Sequence, residues 1–98
     1  MKADILKAID ELLTLIKDYQ ISDVQTQINE LHYLKNQILN DIQLTDRNKL
    51  SIYQSLFPPR GGLSDINYWH NDFELRKRVN EKISTLTTTI ANFLLDKV

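Results

Sequence analysis

The chain has 98 residues, 42% apolar and 26% charged, with a formal net charge of -1 and no cysteine. That length fits one domain with one core. The missing Cys excludes a disulfide scaffold and every thiolate metal site, and the near-zero charge excludes a global basic field that would hold nucleic acid by its phosphates. A small domain without staples must draw its stability from helix packing.

The opening residues Met1-Lys2-Ala3-Asp4 lead directly into an amphipathic pattern with no signal-peptide layout, and no apolar run is long enough to span a bilayer. The expected location is the cytoplasm. Ile5, Leu6, Ile9, Leu12, Leu13 and Ile16 recur at three- and four-residue spacing and predict a helix from about Ala3 to Tyr19. Ser22, with Gln25 three residues on, has the form of a capping box for a second helix. That helix carries Val24, Ile28, Leu31, Leu34 or Tyr33, Ile38 and Ile42, and is expected to reach about Leu44. Thr45 or Asp46 can cap a third helix holding Leu50, Tyr53, Leu56 and Phe57. A single long helix running through Ile38, Ile42, Lys49 and Tyr53 is the alternative. Two helices fit better, because Thr and Asp favour caps over helix interiors.

All the Pro and Gly of the chain sit in one loop, Phe57-Pro58-Pro59-Arg60-Gly61-Gly62-Leu63-Ser64-Asp65. Pro58 drives Phe57 out of helical geometry, Pro59 does the same to Pro58, and Gly61 and Gly62 can take left-handed angles. The last helix carries Leu75, Val79, Ile83, Leu86, Ile90, Phe93 and Leu94 and is expected to reach about Lys97. Its start is open between Ser64 and Asn71, the latter with Glu74 closing a capping box; in that case Leu63 to His70 folds its aromatics back onto the bundle. Four amphipathic segments with short connections predict an all-α, antiparallel four-helix bundle as a single domain over residues 1–98.

Catalytic and metal chemistry finds little footing. His32 and His70 are far apart and lie in no ligand spacing. Asp10 and Glu11 are adjacent and so diverge around a helix. Gly61-Gly62 lacks the Lys-Ser/Thr of a phosphate loop. No enzyme activity, metal or cofactor is expected. Charge is polarised: residues 1–46 carry 4 Lys against 8 Asp or Glu, whereas residues 47–98 carry 8 Lys or Arg against 5 Asp or Glu. Two readings follow, that complementary halves pack together or that the basic half faces something anionic such as lipid headgroups. Arg76, Lys77 and Arg78 fan around the helix, with Lys82 joining Arg78 on one side, and Glu74 and Glu81 stand within pairing reach of such neighbours. Leu63, Ile66, Tyr68, Trp69 and Phe73 form an aromatic-rich cluster beside them. Trp, Tyr and Arg dominate binding hot spots, so the partner-binding candidates are Arg60, Tyr68, Trp69, Arg76, Lys77 and Arg78, with Pro58, Pro59, Gly61 and Gly62 shaping the loop.

The run from Tyr53 to Asp65, Tyr-Gln-Ser-Leu-Phe-Pro-Pro-Arg-Gly-Gly-Leu-Ser-Asp, followed by Trp69, Asp72-Phe73-Glu74 and Arg76-Lys77, resembles streptococcal members of the bacteriocin immunity proteins of the enterocin A immunity type. It covers about a quarter of the chain directly. The resemblance implies a cytoplasmic antiparallel four-helix bundle without enzyme activity. It implies protection against pediocin-like (class IIa) bacteriocins, by acting from the inner side on the membrane sugar permease of the mannose phosphotransferase system with bound bacteriocin. It also implies that the C-terminal half, here Arg47 to Val98, recognises which bacteriocin is countered. Peripheral contact with the inner membrane face is compatible with this picture; nucleic acid is not an expected partner. The competing expectation is a non-catalytic helical adaptor for a cytosolic protein.

Overall fold

The computed structural model describes residues 2–96. Helix α1 spans Lys2–Asp18, α2 Gln25–Leu39, α3 Asp46–Leu56 and α4 Phe73–Leu94, with a short 3-10 turn at Leu63–Asp65. Among the described residues all regular structure is helical, so the expected all-α four-helix bundle is the fold.

Cross-helix contacts give the directions. Lys2 pairs with Asp41 and Asp10 with Lys35, so α1 and α2 are antiparallel. Glu11 meets Lys82 near the middle of α1 and α4, while Tyr19 meets Tyr68 just ahead of α4. Lys49 at the start of α3 reaches Asp96 beyond the end of α4. Each helix packs on its sequence neighbour, and α4 closes the ring against α1 in the most extensive contact. The core lies between them: Ile5, Ile9, Leu12 and Ile16 from α1, Leu31, Leu34 and Ile38 from α2, Ile52 and Leu56 from α3, and Val79, Ile83, Leu86, Ile90 and Leu94 from α4. Burying each such side chain contributes roughly 1.5–3 kcal/mol. The buried polar groups are both bonded: Gln27 Nε2 donates from α2 across to the Ser55 carbonyl of α3 at 3.1 Å, and Thr87 Oγ1 to the Ser84 carbonyl within α4 at 3.1 Å.

The connections depart from the sequence expectation in three places. Helix α2 begins at Gln25 behind Val24, with no side-chain cap, so the Ser22–Gln25 box does not form. Val24 is buried, and its carbonyl accepts from Ile28 N at 2.8 Å; burial of the valine sets the start in place of a cap. Helix α2 also ends at Leu39, short of Leu44. Asp41 adopts φ 55°, its N–H bonds the Ile38 carbonyl at 3.1 Å, and Ile42 N bonds that of Gln37 at 3.0 Å, a Schellman closure. Ile42 therefore closes the helix end and is half exposed, in place of extending the core stripe. Third, Leu56 is buried as expected, but it is joined in the core of α3 by Ile52 and not by Leu50, which is exposed. Tyr33 is likewise exposed, so Leu34 is the core residue of that pair.

The two-helix reading of residues 25–56 holds. Thr45 Oγ1 accepts from Asn48 N at 3.1 Å, and Asn48 Oδ1 accepts from Thr45 N at 3.3 Å, a complete capping box. Of the two starts open for the last helix, the later one is near the mark: Asp72 is the N-cap and its Oδ1 accepts from Leu75 N at 3.2 Å. Lys97, the expected far end, lies outside the described residues; α4 stops at Leu94.

Helices α1, α2 and α4 are each followed by a non-glycine residue in the left-handed region: Gln20 (φ 52°), Asp41 and Asp96 (φ 57°). Gln20 N bonds the Lys17 carbonyl at 3.2 Å and Ile21 N that of Ile16 at 2.9 Å. A Cβ in this conformation costs roughly 1–2 kcal/mol, part of which glycine returns through its freer unfolded chain. Gln20→Gly is therefore expected to stabilise the protein by about 0.5–1 kcal/mol, read as a rise of a few degrees in the thermal unfolding midpoint.

Candidate functional site

Helix α3 stops where Pro58 follows Phe57, whose backbone sits at φ -127°, ψ 61°. The chain then reverses through Gly61 (φ 73°) and Gly62 (φ 75°). The two glycines serve different ends. A Cβ on Gly61 would meet nothing, whereas one on Gly62 would lie 2.8 Å from the Leu56 carbonyl oxygen and overlap Cδ of the Pro58 ring. Gly62 is buried and Pro58 half-buried, while Pro59 is exposed. Asp65 Oδ2 accepts from Gly61 N at 2.5 Å, closing the loop on itself. The reversal delivers Leu63 into the core at 2% exposure.

Residues 66–71 follow without regular structure. Ile66 and Tyr68 are half-buried and Asn67 and Trp69 exposed, the alternation of an extended chain. Tyr68 is held from both sides of its backbone. Its N–H donates to Asn80 Oδ1 at 2.8 Å, and Asn80 Nδ2 donates to its carbonyl at 2.9 Å. Its ring packs edge-on against Tyr19, centroids 5.1 Å apart. His70 Nδ1 then accepts from Asp72 N at 2.9 Å, just ahead of the α4 cap.

With Tyr68 turned inward, Trp69 points outward and is 68% exposed, beside Phe73 at 58%. Helical side chains lean toward the N-terminus, so Arg76, three residues after Phe73, reaches back over both rings. Its guanidinium carbon lies 4.2 Å from the Trp69 ring centre and 5.2 Å from that of Phe73. An open cleft of about 430 Å³ between this segment and the α1–α2 connection is lined by Tyr19, Ile21, Asp23, Ile66 and Tyr68, with Trp69 among its lining residues.

Of the residues singled out from sequence, the structure brings Trp69 and Arg76 together and adds Phe73. Tyr68 is a support, fixed to Asn80 and Tyr19. Arg60 is exposed in the loop and Lys77 on α4, neither in ring contact with the trio. Arg78 lies in a groove on the α1 side with Lys7, Glu11 and Lys82, as the helical spacing of Arg78 and Lys82 predicts. Lys82 pairs with Glu11 at 3.4 Å, and neither Glu74 nor Glu81 forms an ion pair with a described residue. Asn80 had only a faint signal in the sequence: a residue that disfavours helix interiors, standing inside a strong helical pattern.

The polarised charge is little used in packing. Lys2–Asp41 and Lys35–Asp10 lie within the acidic half and Lys49–Asp96 within the basic half; among the described residues only Lys82–Glu11 joins one half to the other. Arg60, Lys77 and Arg78 form no ion pair with a described residue. No group of three or more His, Asp or Glu side chains among the described residues is arranged to hold a metal, and no described helix is long and apolar enough to cross a membrane.

Fold and surface together define an all-α four-helix protein whose most developed surface feature is an exposed tryptophan–arginine–phenylalanine group on a clamped loop. No family model, curated protein or solved structure matches the chain.

Gly62→Ala is expected to cost about 3 kcal/mol, from the left-handed angle together with the overlap on Leu56 and Pro58, and Gly61→Ala about 1 kcal/mol from the angle alone; thermal or urea unfolding of the pair separates the two effects. Asn80→Ala strips both partners from the half-buried Tyr68 backbone and is expected to cost about 1–3 kcal/mol. Trp69 is the sole tryptophan, so the loosened segment should also lower its fluorescence anisotropy at temperatures where the helical circular dichroism is unchanged.

Proposed function

We propose that the chain is a bacteriocin immunity protein, acting at the cytoplasmic face by binding the mannose permease when a class IIa bacteriocin engages it. The mode of action is occlusion: a rigid bundle docks on the receptor–bacteriocin complex and holds it closed, with no bond made or broken. The observation that carries this reading is how the residues of the resemblance divide. Leu56 and Leu63 are buried, and Tyr53 and Phe57 stack with ring centres 5.0 Å apart. Trp69 and Phe73, from the same stretch, stand in water against Arg76. The core does not need them, and a large aromatic left exposed beside an arginine has the composition of a binding hot spot.

The reading places the cytosolic adaptor second, because the adaptor shares the surface but leaves the Tyr53–Asp65 resemblance without a purpose. Expression in a sensitive strain, followed by survival against a panel of class IIa bacteriocins, tests it. Protection against at least one of them is expected. Trp69→Ala should weaken target binding by about 30-fold, the equivalent of a hot-spot loss near 2 kcal/mol, and weaken protection with it. No protection across the panel from a well-expressed, folded chain would sink the reading.

A further inference from the structure

Arg76 is half-buried, yet its guanidinium is tied by ion pair or hydrogen bond to no described residue. The usual helical partners four residues away are both committed elsewhere: the Asp72 carboxylate caps the helix through Leu75 N at 3.2 Å, and the Asn80 amide holds Tyr68. What Arg76 does touch is two ring faces, Trp69 at 4.2 Å and Phe73 at 5.2 Å. Ring contacts of this kind are made by the charge and do not use up the planar fork of N–H donors, and no described residue accepts from that fork. The charge is held in place by packing and its directional bonds remain open.

We propose that Arg76 is the anchor of this surface and that its fork receives a carboxylate of a protein partner, with Trp69 and Phe73 flanking the bond and excluding water from it. The proposal rests on the reading of this surface as the partner-binding site and adds the chemistry of the contact. A planar fork matches a carboxylate through two parallel bonds, and aromatic walls lower the local dielectric, which strengthens such a bond.

An anionic bilayer offers charge too, but the surroundings oppose it. Between residues 60 and 78 the chain sets the four cations Arg60, Arg76, Lys77 and Arg78 against Asp65, Asp72 and Glu74. All three carboxylates are exposed. An extended anionic plane meets them along with the cations, whereas membrane-binding segments rely on clustered cations that act together. A single carboxylate on a folded partner meets Arg76 alone.

Two arms test this on the full chain. In the first, purified protein is titrated with an oligoglutamate peptide while Trp69 fluorescence is followed, alongside flotation with phosphatidylglycerol and phosphatidylcholine vesicles. The expected result is a saturable change in the wild type, reduced at least about tenfold in apparent affinity by Arg76→Gln and also by Arg76→Lys, which keeps the charge but loses the fork. Lys17→Gln, at an exposed cation on α1 away from this surface, should stay near wild type, and neither vesicle should carry the protein. In the second arm the same variants are scored for protection in the sensitive strain, where both Arg76 variants should fail and Lys17→Gln should protect. A wild-type response that Arg76→Lys retains in full would overturn the fork. Absence of any response to oligoglutamate, or flotation with phosphatidylglycerol vesicles that Arg76→Gln abolishes, would overturn the protein carboxylate. Because the first arm needs no bacteriocin, a chain that binds oligoglutamate through Arg76 but confers no immunity refutes the immunity reading and leaves this one standing.

Discussion

The reversal after α3 depends on one close approach. The backbone at Gly62 passes so near the Leu56 carbonyl and the Pro58 ring that no Cβ fits between them. That contact turns the chain back under the end of α3 and sends Leu63 into the core. With Leu63 fixed, residues 66–71 are laid along α4 in one register, and Asn80 meets Tyr68 through both of its backbone groups. A chain displaced by one residue would present Trp69 to Asn80 and turn Tyr68 to solvent, because neighbours on an extended segment face opposite ways. The arrangement of the exposed group is thus set by a glycine several residues away from it.

Tyr68 and Trp69 illustrate how a loop can be ordered and still offer a large aromatic to water. Tyr68 buries much of its ring against Tyr19, while its backbone bonds replace the ladder that an extended segment would find in a sheet. The cost of ordering the segment is met by that residue and by Leu63, which leaves Trp69 free of any packing duty. Arg76 then covers part of the exposed ring from the first turns of α4. The surface is thereby organised before any partner arrives, and a surface organised in advance loses less conformational entropy on binding.

The parts of this fold that were legible in the sequence are those where residue type and geometry have a one-to-one relation. Period and stripe located all four helices, Thr45-Asp46 marked a cap that the structure places on Thr45, and the Pro and Gly cluster marked the reversal. The parts that were not legible rest on residues whose type is ambiguous. Gln20, Asp41 and Asp96 close helices in a left-handed conformation that Gly usually occupies, and Gln and Asp are common on any surface. Ile42 stands four residues after Ile38, in phase with the stripe of α2, and so reads as its continuation when it is in fact the residue that bonds back to close the helix. Helix α3 is 11 residues long, and over so few turns a stripe through Leu50, Tyr53 and Leu56 fits the sequence about as well as the true one, which shares Leu56 but runs through Ile52. At the candidate site the aromatic and basic residues were visible as a list, but not which of them would meet. Tyr68 and Trp69 are adjacent, and only the register set by Gly62 and Asn80 decides that one supports and the other is presented.

Charge follows a similar logic. A sequence divided into an acidic and a basic half invites the idea that the halves neutralise each other across an interface. Most of the cross-helix pairs instead form within a half, since helices paired by short connections are neighbours both in sequence and in space. Lys82–Glu11 is the exception because α4, last in sequence, packs against α1, the first. The cations near the loop therefore keep their charge at the surface, interleaved with Asp65, Asp72 and Glu74. Interleaving suppresses attraction to any broad charged surface while leaving each cation available at short range, where one well-placed bond outweighs the screened sum of distant ones. Selectivity in such a patch comes from geometry, and Arg76, oriented by two rings, is the cation here whose geometry is fixed.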